Sequence, residues 1–546
     1  MPNKKWTRRQ IISSLAIMPL AVNAGLSTFS NSLQITAKLI RCKLFNSDGA
    51  PFDVNKMDRL HICDLMLRPF QIDPKLAPGE IVFKPLPSPF RISLPVKVPG
   101  FGEVFLYADN RGAGYTAKSL EKTKTLFLNY EFAADRLATI QRLIEECRNS
   151  CIKLSSGTLE RITSAERSFE QAKQLAGDDK AVTKWTMKSL CESLHAGEMI
   201  VVERAKQLIE RKGVRPGFLF GCNAFRFKDY GSPYSKLFES LFNYATLPFY
   251  MGDIEKIQGE RDYSRVDTIL KALEHTSIIK KGHPLIFLVP NSTTPEWARY
   301  KSFEETKNIC LSYVRNTILK YRGRFNLWDV INEAHVQPDT EHGVEMILGL
   351  TKEQNVELSC AAVKTAREAD PTCFRIVNNT GTWSDYYMGR KPSPWQQNVY
   401  DYLKMLEDAG CEYEAIGLQY YHSGRDLLEF ERDLERFSHF KKPLHITELQ
   451  IPSSSEDIPG NEWWGGGIGG SGFLWHGNEF TETIQADWVE YVYTILYSKP
   501  YVDAITWWDM ADPAFVPHGG LVNEDLCPKE SYYRLKTLLE NWKCSV

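Results

Sequence analysis

From Val214 to the end of the chain, short apolar runs alternate with amphipathic segments. The runs Phe218–Asn223, Tyr244–Phe249, Leu285–Val289, Asn326–Asn332, Phe374–Asn378, Ala415–Tyr420, Leu444–Leu449 and Ala504–Trp508 predict strands. Strands alternating with helices imply a parallel sheet. Eight such units within residues 214–546 predict an α/β fold of the (β/α)8, or TIM, barrel type. An open doubly wound sheet is the structural rival, but no G-x-G-x-x-G follows the first strand.

Upstream the pattern differs. Residues 33–126 carry many prolines and short alternating runs, which predict a small β-sandwich-like region. Residues 127–213 have few Gly or Pro. Phe132, Leu137, Ile140, Ile144 and Cys147 recur at helical spacing, as do Leu159, Ile162, Phe169 and Ala172, then Leu190, Leu194, Val201, Ala205 and Leu208. These are amphipathic helices, expected to pack as a helical hairpin. In residues 1–24, Lys4, Lys5, Arg8 and Arg9 precede the apolar run Ile11 to Val22, and Val22-Asn23-Ala24 resembles a cleavage site. This predicts export by a twin-arginine-like signal, with a periplasmic or extracellular product. An ordinary secretory signal or a retained anchor is the alternative. The run is short for a membrane span, and no later stretch is long and apolar enough, so no membrane anchor is expected after signal removal.

Composition narrows the function. The 546 residues are 43% hydrophobic and 25% charged, an ordinary globular balance with enough chain for a full core. With 66 basic and 68 acidic side chains, the net charge is −2, which offers no basic excess to hold a nucleic acid. The 13 Trp and 24 Tyr suit flat sugar rings. None of the 12 cysteines forms a CxxC pair, and His, Asp and Glu do not cluster at metal spacing. No metal or cofactor is therefore expected. The absence of G-x-S-x-G removes one common serine chemistry.

Barrel chemistry sits at the carboxyl ends of strands. The fourth predicted strand ends WDVINEA, with Glu333, and the seventh reads HITELQI, with Glu448. A carboxylate where an apolar run stops is costly unless it is hydrogen-bonded or used. A lone Glu there is most simply a helix cap or an Arg partner. Two of them, at strands facing each other across the barrel mouth, match glycosidic cleavage, which needs one protonated and one ionised carboxyl.

These motifs, over about Val214 to the end, resemble glycoside hydrolase family 10, the xylanase family. The resemblance implies that Glu333 is the acid/base and Glu448 the nucleophile of a retaining endo-β-glycosidase. It implies that Asn332, His283 (in GHPL), Gln419 (in IGLQ) and Trp507 (in ITWWDMAD) bind the sugar. A polysaccharide or oligosaccharide is the implied partner, and the amino-terminal β region, by analogy, would bind carbohydrate. Departures are visible too. The polar second-strand ligands of the family fall on Pro248, Phe249 and Gly252, partly apolar surface. Phe287-Leu288 and Pro290 replace third-strand residues, Gln450 replaces an Asp, and Phe515 replaces a Trp. Gln419-Tyr420-Tyr421-His422 stands for Gln-x-His, so Tyr421 or, through a bulge, His422 would face the site.

Trp463, Trp464 and Trp475 flank the Gly-rich loop 465–472 and either wall the cleft or pack the loop. His335, Asp329 and Asp509 read as structural hydrogen-bonding residues. The expected product is a secreted enzyme acting on xylan or a related β-1,4-linked polysaccharide. A glycosidase or transglycosylase of other specificity and a non-catalytic glycan-binding protein are the alternatives.

Overall fold

The computed structural model describes residues 39–543 apart from 71, 122, 124, 290–292, 337–349, 385–396, 423 and 457–472. The expected export signal, Pro290, Trp463, Trp464 and the Gly-rich loop lie outside these residues.

The chain begins with β1 (Ile40–Lys43), β2 (His61–Cys63), β3 (Lys75–Ala77), β4 (Glu80–Phe83), β5 (Arg91–Val98), β6 (Gly102–Ala108) and β7 (Leu126–Phe127). They form two small sheets, ordered β3-β4-β1-β7 and β2-β5-β6. Helices α1 (Leu128–Asn149), α2 (Ser156–Gln174) and α3 (Asp179–Lys212) follow. The region expected as a hairpin thus holds three helices. Cys151, with φ 54, breaks the chain after α1. The Ser155 side chain then accepts from Thr158 N–H to start α2, and Asp178 accepts from Ala181 N–H to start α3. Ile92, Leu94 and Leu106 from the strands share one apolar cluster with Phe132, Phe169, Leu190 and Leu194 from the helices. The boundary expected between 126 and 127 therefore runs through a single core.

Eight parallel strands close the barrel: β8 (Leu219–Asn223), β9 (Tyr244–Pro248), β10 (Ile279–His283), β11 (Leu327–Asn332), β12 (Phe374–Asn379), β13 (Ala415–Tyr421), β14 (Leu444–Gln450) and β15 (Val502–Trp507). Around them run α4 (Pro233–Leu241), α5 (Met251–Ile254), α6 (Ser264–Leu273), α7 (Phe303–Tyr321), α8 (Lys352–Ala369), α9 (Val399–Asp408), α10 (Leu427–Ser438), α11 (Glu482–Ser498) and α12 (Glu530–Lys543). No helix among the described residues is long and apolar enough to cross a membrane.

The third strand corrects the sequence expectation. It is Ile279–His283, not Leu285–Val289. Its sequence, IKKGH, reads as solvent-facing, yet Lys281 is fully buried with its Nζ 2.7 Å from Asp329 Oδ2. A buried ammonium is tolerated because a buried carboxylate neutralises it. The Leu285 run follows the strand instead, donating from Leu285 and Ile286 to β11 carbonyls.

Polar ties hold the amino-terminal part to the barrel. Lys499 on the barrel side and Arg204 on α3 both pair with buried Glu431 of α10. Arg136 of α1 donates to both oxygens of Asp426, at 2.8 and 3.2 Å, and to the Ser193 and Leu194 carbonyls. Asp426 also accepts from Leu428 N–H at the start of α10. Removing one partner of such a buried pair leaves the other charge stranded. Arg136→Ala is expected to cost about 3–5 kcal/mol in urea unfolding. A loss under about 0.5 kcal/mol would show that the tie is not structural.

Candidate active site

Glu333 and Glu448 lie at the carboxyl ends of β11 and β14; Glu448 is buried and Glu333 half-buried. Glu333 is the first residue past β11 and sits at φ 53, in the left-handed region. Such backbone costs on the order of 1–3 kcal/mol and persists where surrounding contacts hold it. Here Glu333 N–H donates to the Asn378 carbonyl at 2.9 Å. Register shifts in the barrel matter as well. A bulge between β13 and β14 skips Thr447 and brings Gln419 opposite Glu448.

The two carboxyl groups share a chain of amides. Asn332 Nδ2 donates to Glu333 at 3.2 Å, and Gln419 Nε2 donates to the same oxygen at 2.7 Å. Asn378 Nδ2 donates to Asn332 Oδ1 at 2.6 Å and to Glu448 Oε1 at 3.2 Å. The side-chain Oδ1 of Asn378 accepts from Thr447 Oγ1, which fixes the amide with its NH2 towards both. The Tyr421 hydroxyl donates to the other Glu448 oxygen at 2.5 Å. No Lys or Arg pairs with either carboxylate among the described ion pairs. Burial, and then the Glu333 charge, push the Glu448 carboxyl up to about 8, against the lowering effect of Tyr421. Burial also raises Glu333, partly offset by Gln419 and Asn332.

The structure therefore brings together Glu333, Glu448, Asn332, Gln419 and Tyr421. His283 lies beside them: its Nδ1 is 2.7 Å from Asp329 Oδ2, and its ring packs against Trp508 and Tyr250. Burial lowers its pKa, against the raising effect of Asp329, and so favours the neutral imidazole. With Nδ1–H donating to Asp329, Nε2 keeps its lone pair.

Two expected sugar-binding residues sit elsewhere. His422 turns away from the carboxylates and packs edge-on against Phe480 and Trp488. The register shift carries Tyr421, not its neighbour, to Glu448, and strand alternation sends His422 to the opposite face. Trp507 is fully buried, its Nε1 donates to the Gly519 carbonyl at 3.0 Å, and its ring meets Trp488 of α11. The next residue, Trp508, faces the site instead, clustered with Tyr421, Val516 and Phe225. WW contains both directions, and nothing in the letters chooses between them.

Other residues become interpretable only in the fold. Asn378 was hidden at the end of a plain apolar strand, FRIVNN. Tyr250, raised by burial and by the charges of Glu448 and Glu333, stands beside the pair. Phe249 is not cleft surface: it is fully buried against Tyr321, Phe325 and Trp328. Gln450 accepts from Val516 N–H at 3.2 Å and anchors the loop after β15. Phe515 is 44% exposed and its ring packs on Tyr421. Asp509 accepts from Asn223 and from Phe515 N–H, and His335 Nε2 bonds the Thr380 carbonyl, both structural. Trp475 is buried, its ring edge-on to Tyr491 of α11. A group of possible metal ligands that no sequence spacing announces also forms. His195, Glu198 and His476 meet in the fold, because residues far apart in sequence converge.

A parallel barrel with two carboxyl groups at opposing strand ends, neither paired with a cation among the described residues, is the layout of a glycosidase. The comparisons agree: the model of glycosyl hydrolase family 10 matches residues 206–537. The chain belongs to this family and is a glycoside hydrolase acting on O-glycosyl bonds. It is 26% identical over 349 residues to endo-1,4-beta-xylanase B of Thermotoga neapolitana, covering 61% of this chain and 90% of that protein. It is 27% identical over 203 residues to endo-1,4-beta-xylanase A of the same organism, covering 35% of this chain and 17% of that longer protein. Xylanase 10B from Thermotoga petrophila, solved with xylobiose, superimposes with TM-score 0.46 at 24% identity, covering 62% of this chain and 97% of that one.

The raised Glu448 carboxyl has a consequence for stability. Its folded value, about 8, lies above the ordinary 4.5, so the proton favours the fold. Wild-type stability is full below the ordinary value and falls as pH rises through the folded one. Glu448→Gln carries no charge to bury. Its Tm advantage over wild type is expected to be near zero around pH 4.5 and to grow to several degrees near pH 8. A difference independent of pH would contradict this assignment.

Proposed function

We propose that this protein is an exported, retaining endo-β-glycosidase that hydrolyses xylan or a related β-1,4-linked glycan by double displacement. The observation that carries the reading is the Glu333–Glu448 pair, joined through Asn332 and Asn378 and without a paired cation among the described residues. Ionised Glu448 attacks the anomeric carbon as the glycosidic bond breaks, and Glu333 gives its proton to the leaving oxygen. The sugar is then held as an ester of Glu448. Glu333, now ionised, takes a proton from water, which displaces the ester and restores both groups.

Burial raises both carboxyls, and the Glu333 charge raises Glu448 further, so before substrate arrives the pair shares a proton. The catalytic state needs it on Glu333. Tyr421 and Asn378 both donate to Glu448 and stabilise its anion. A bound sugar hydroxyl adds a third donor and so favours the proton on Glu333. Trp508 and exposed Phe515 supply aromatic faces for sugar rings, and the lone pair of His283 Nε2 accepts from a sugar hydroxyl. The name of the similar endo-1,4-beta-xylanase B of Thermotoga neapolitana supports xylan as substrate. The basic and apolar pattern of residues 1–24 supports export.

The test is reducing-sugar release from a panel of β-linked glycans. Wild type is expected to act on xylan, with Glu333→Ala and Glu448→Ala each lowered by at least about a thousandfold, near the loss seen for essential groups elsewhere. Activity on other glycans alone would change the substrate assignment. Full activity in either variant would remove the site assignment.

A further inference from the structure

The β5–β6 turn, the middle of α3 and the segment after β14 meet outside the carboxylate pocket. They bring together His195, Glu198 and His476, with one ring nitrogen of each histidine and one carboxylate oxygen all within 4.8 Å of one another. His195 and Glu198 are three apart on α3 and share one helix face. His476 arrives from 278 residues beyond Glu198, in left-handed backbone with φ 54. That conformation, costly for a non-glycine residue, turns its imidazole onto the helix.

Each ligand is also held from behind. Glu198 is buried: one oxygen accepts from Leu427 N–H at 3.0 Å, and the other lies 2.5 Å from His476 Nε2. His195 Nε2 is 3.0 Å from the Gly100 carbonyl oxygen. A carbonyl only accepts, so Nε2 carries the proton and Nδ1 keeps a lone pair. A backbone carbonyl orienting an imidazole in this way is the usual outer contact of a metal-bound histidine. The Phe101 ring packs against both imidazoles, at 4.8 and 4.9 Å between centroids, and walls the cluster with apolar surface. The turn comes this close because Gly102 has φ +112 and no Cβ; an added Cβ would lie 2.4 Å from Gly477 N.

A simple ion pair accounts for Glu198 and His476 but not for the second imidazole, 5.2 Å from the first. Two imidazoles and one carboxylate are a donor set for a borderline divalent ion. We propose that His195, Glu198 and His476 bind a divalent transition-metal ion of the zinc class, with water in the fourth position. The ion clamps the amino-terminal region to the segment that follows the strand carrying Glu448. Tetrahedral bonds of about 2.0–2.2 Å place ligand atoms roughly 3.3–3.6 Å apart. The long side of the triangle must close and the Glu198–His476 contact must open by about 1 Å, within reach of side-chain rotation.

The experiment uses the full chain, stripped with chelator and then given Zn2+ or Co2+ alone. One ion per chain is expected to survive gel filtration, read by elemental mass spectrometry. Zn2+ should raise the Tm by several degrees, and Co2+ should give the visible absorption of a four-coordinate site. His195→Ala and His476→Ala should each weaken retention by about tenfold or more. Glu198→Gln keeps the side-chain shape and the acceptor for Leu427 N–H, so it tests the ligand even where a histidine variant fails to fold. A wild-type chain that retains no ion would overturn the proposal. So would an ion retained equally by Glu198→Gln and the histidine variants.

Discussion

The site depends on holding two carboxyl groups, one buried and one half-buried, with no cation paired to either among the described residues. Burial alone would neutralise both. The amide chain Gln419–Glu333–Asn332–Asn378–Glu448 makes charge tolerable on either one, because every amide NH2 in it points at an oxygen. Mutual repulsion then keeps the pair from ionising freely together, which lets one proton serve two groups.

Much of the surrounding structure serves that arrangement. The register shift between β13 and β14 aligns Gln419 with Glu448 and delivers Tyr421 to the carboxylate. The left-handed turn at Glu333 presents its side chain at the end of β11. Beneath, the barrel places Lys281 on Asp329 rather than on the pair, and Asp329 in turn orients His283. Were Lys281 to reach a glutamate, its charge would pin that carboxylate ionised and remove the proton donor. The amino-terminal helices buttress the same side through α10 and its neighbours, with Arg136 and Arg204 ending on carboxylates of that helix region.

Sequence patterning made the barrel and both glutamates legible because each depends on a strong, local signal: an apolar run and the polar residue that ends it. IKKGH was missed as a strand because its buried lysine is explained only by Asp329, 48 residues later in a different strand. The choice of Trp507 over Trp508, and the doubt between Tyr421 and His422, share one cause. A period of two decides which face a residue takes, and a single bulge inverts it. Asn378 gave no signal at all, since its role arises from Thr447 and Asn332 on neighbouring strands. His195, Glu198 and His476 were equally invisible, being a product of docking rather than of spacing.

The most direct test of the central claim is to trap the sugar on the enzyme. A xylobiose derivative with fluorine at carbon 2 and a dinitrophenolate leaving group forms the glycosyl ester quickly and loses it slowly. Intact mass and peptide mapping should then show one disaccharide per chain, attached to Glu448. A label on another residue, or full turnover with no label at all, would contradict an account built on these two carboxylates.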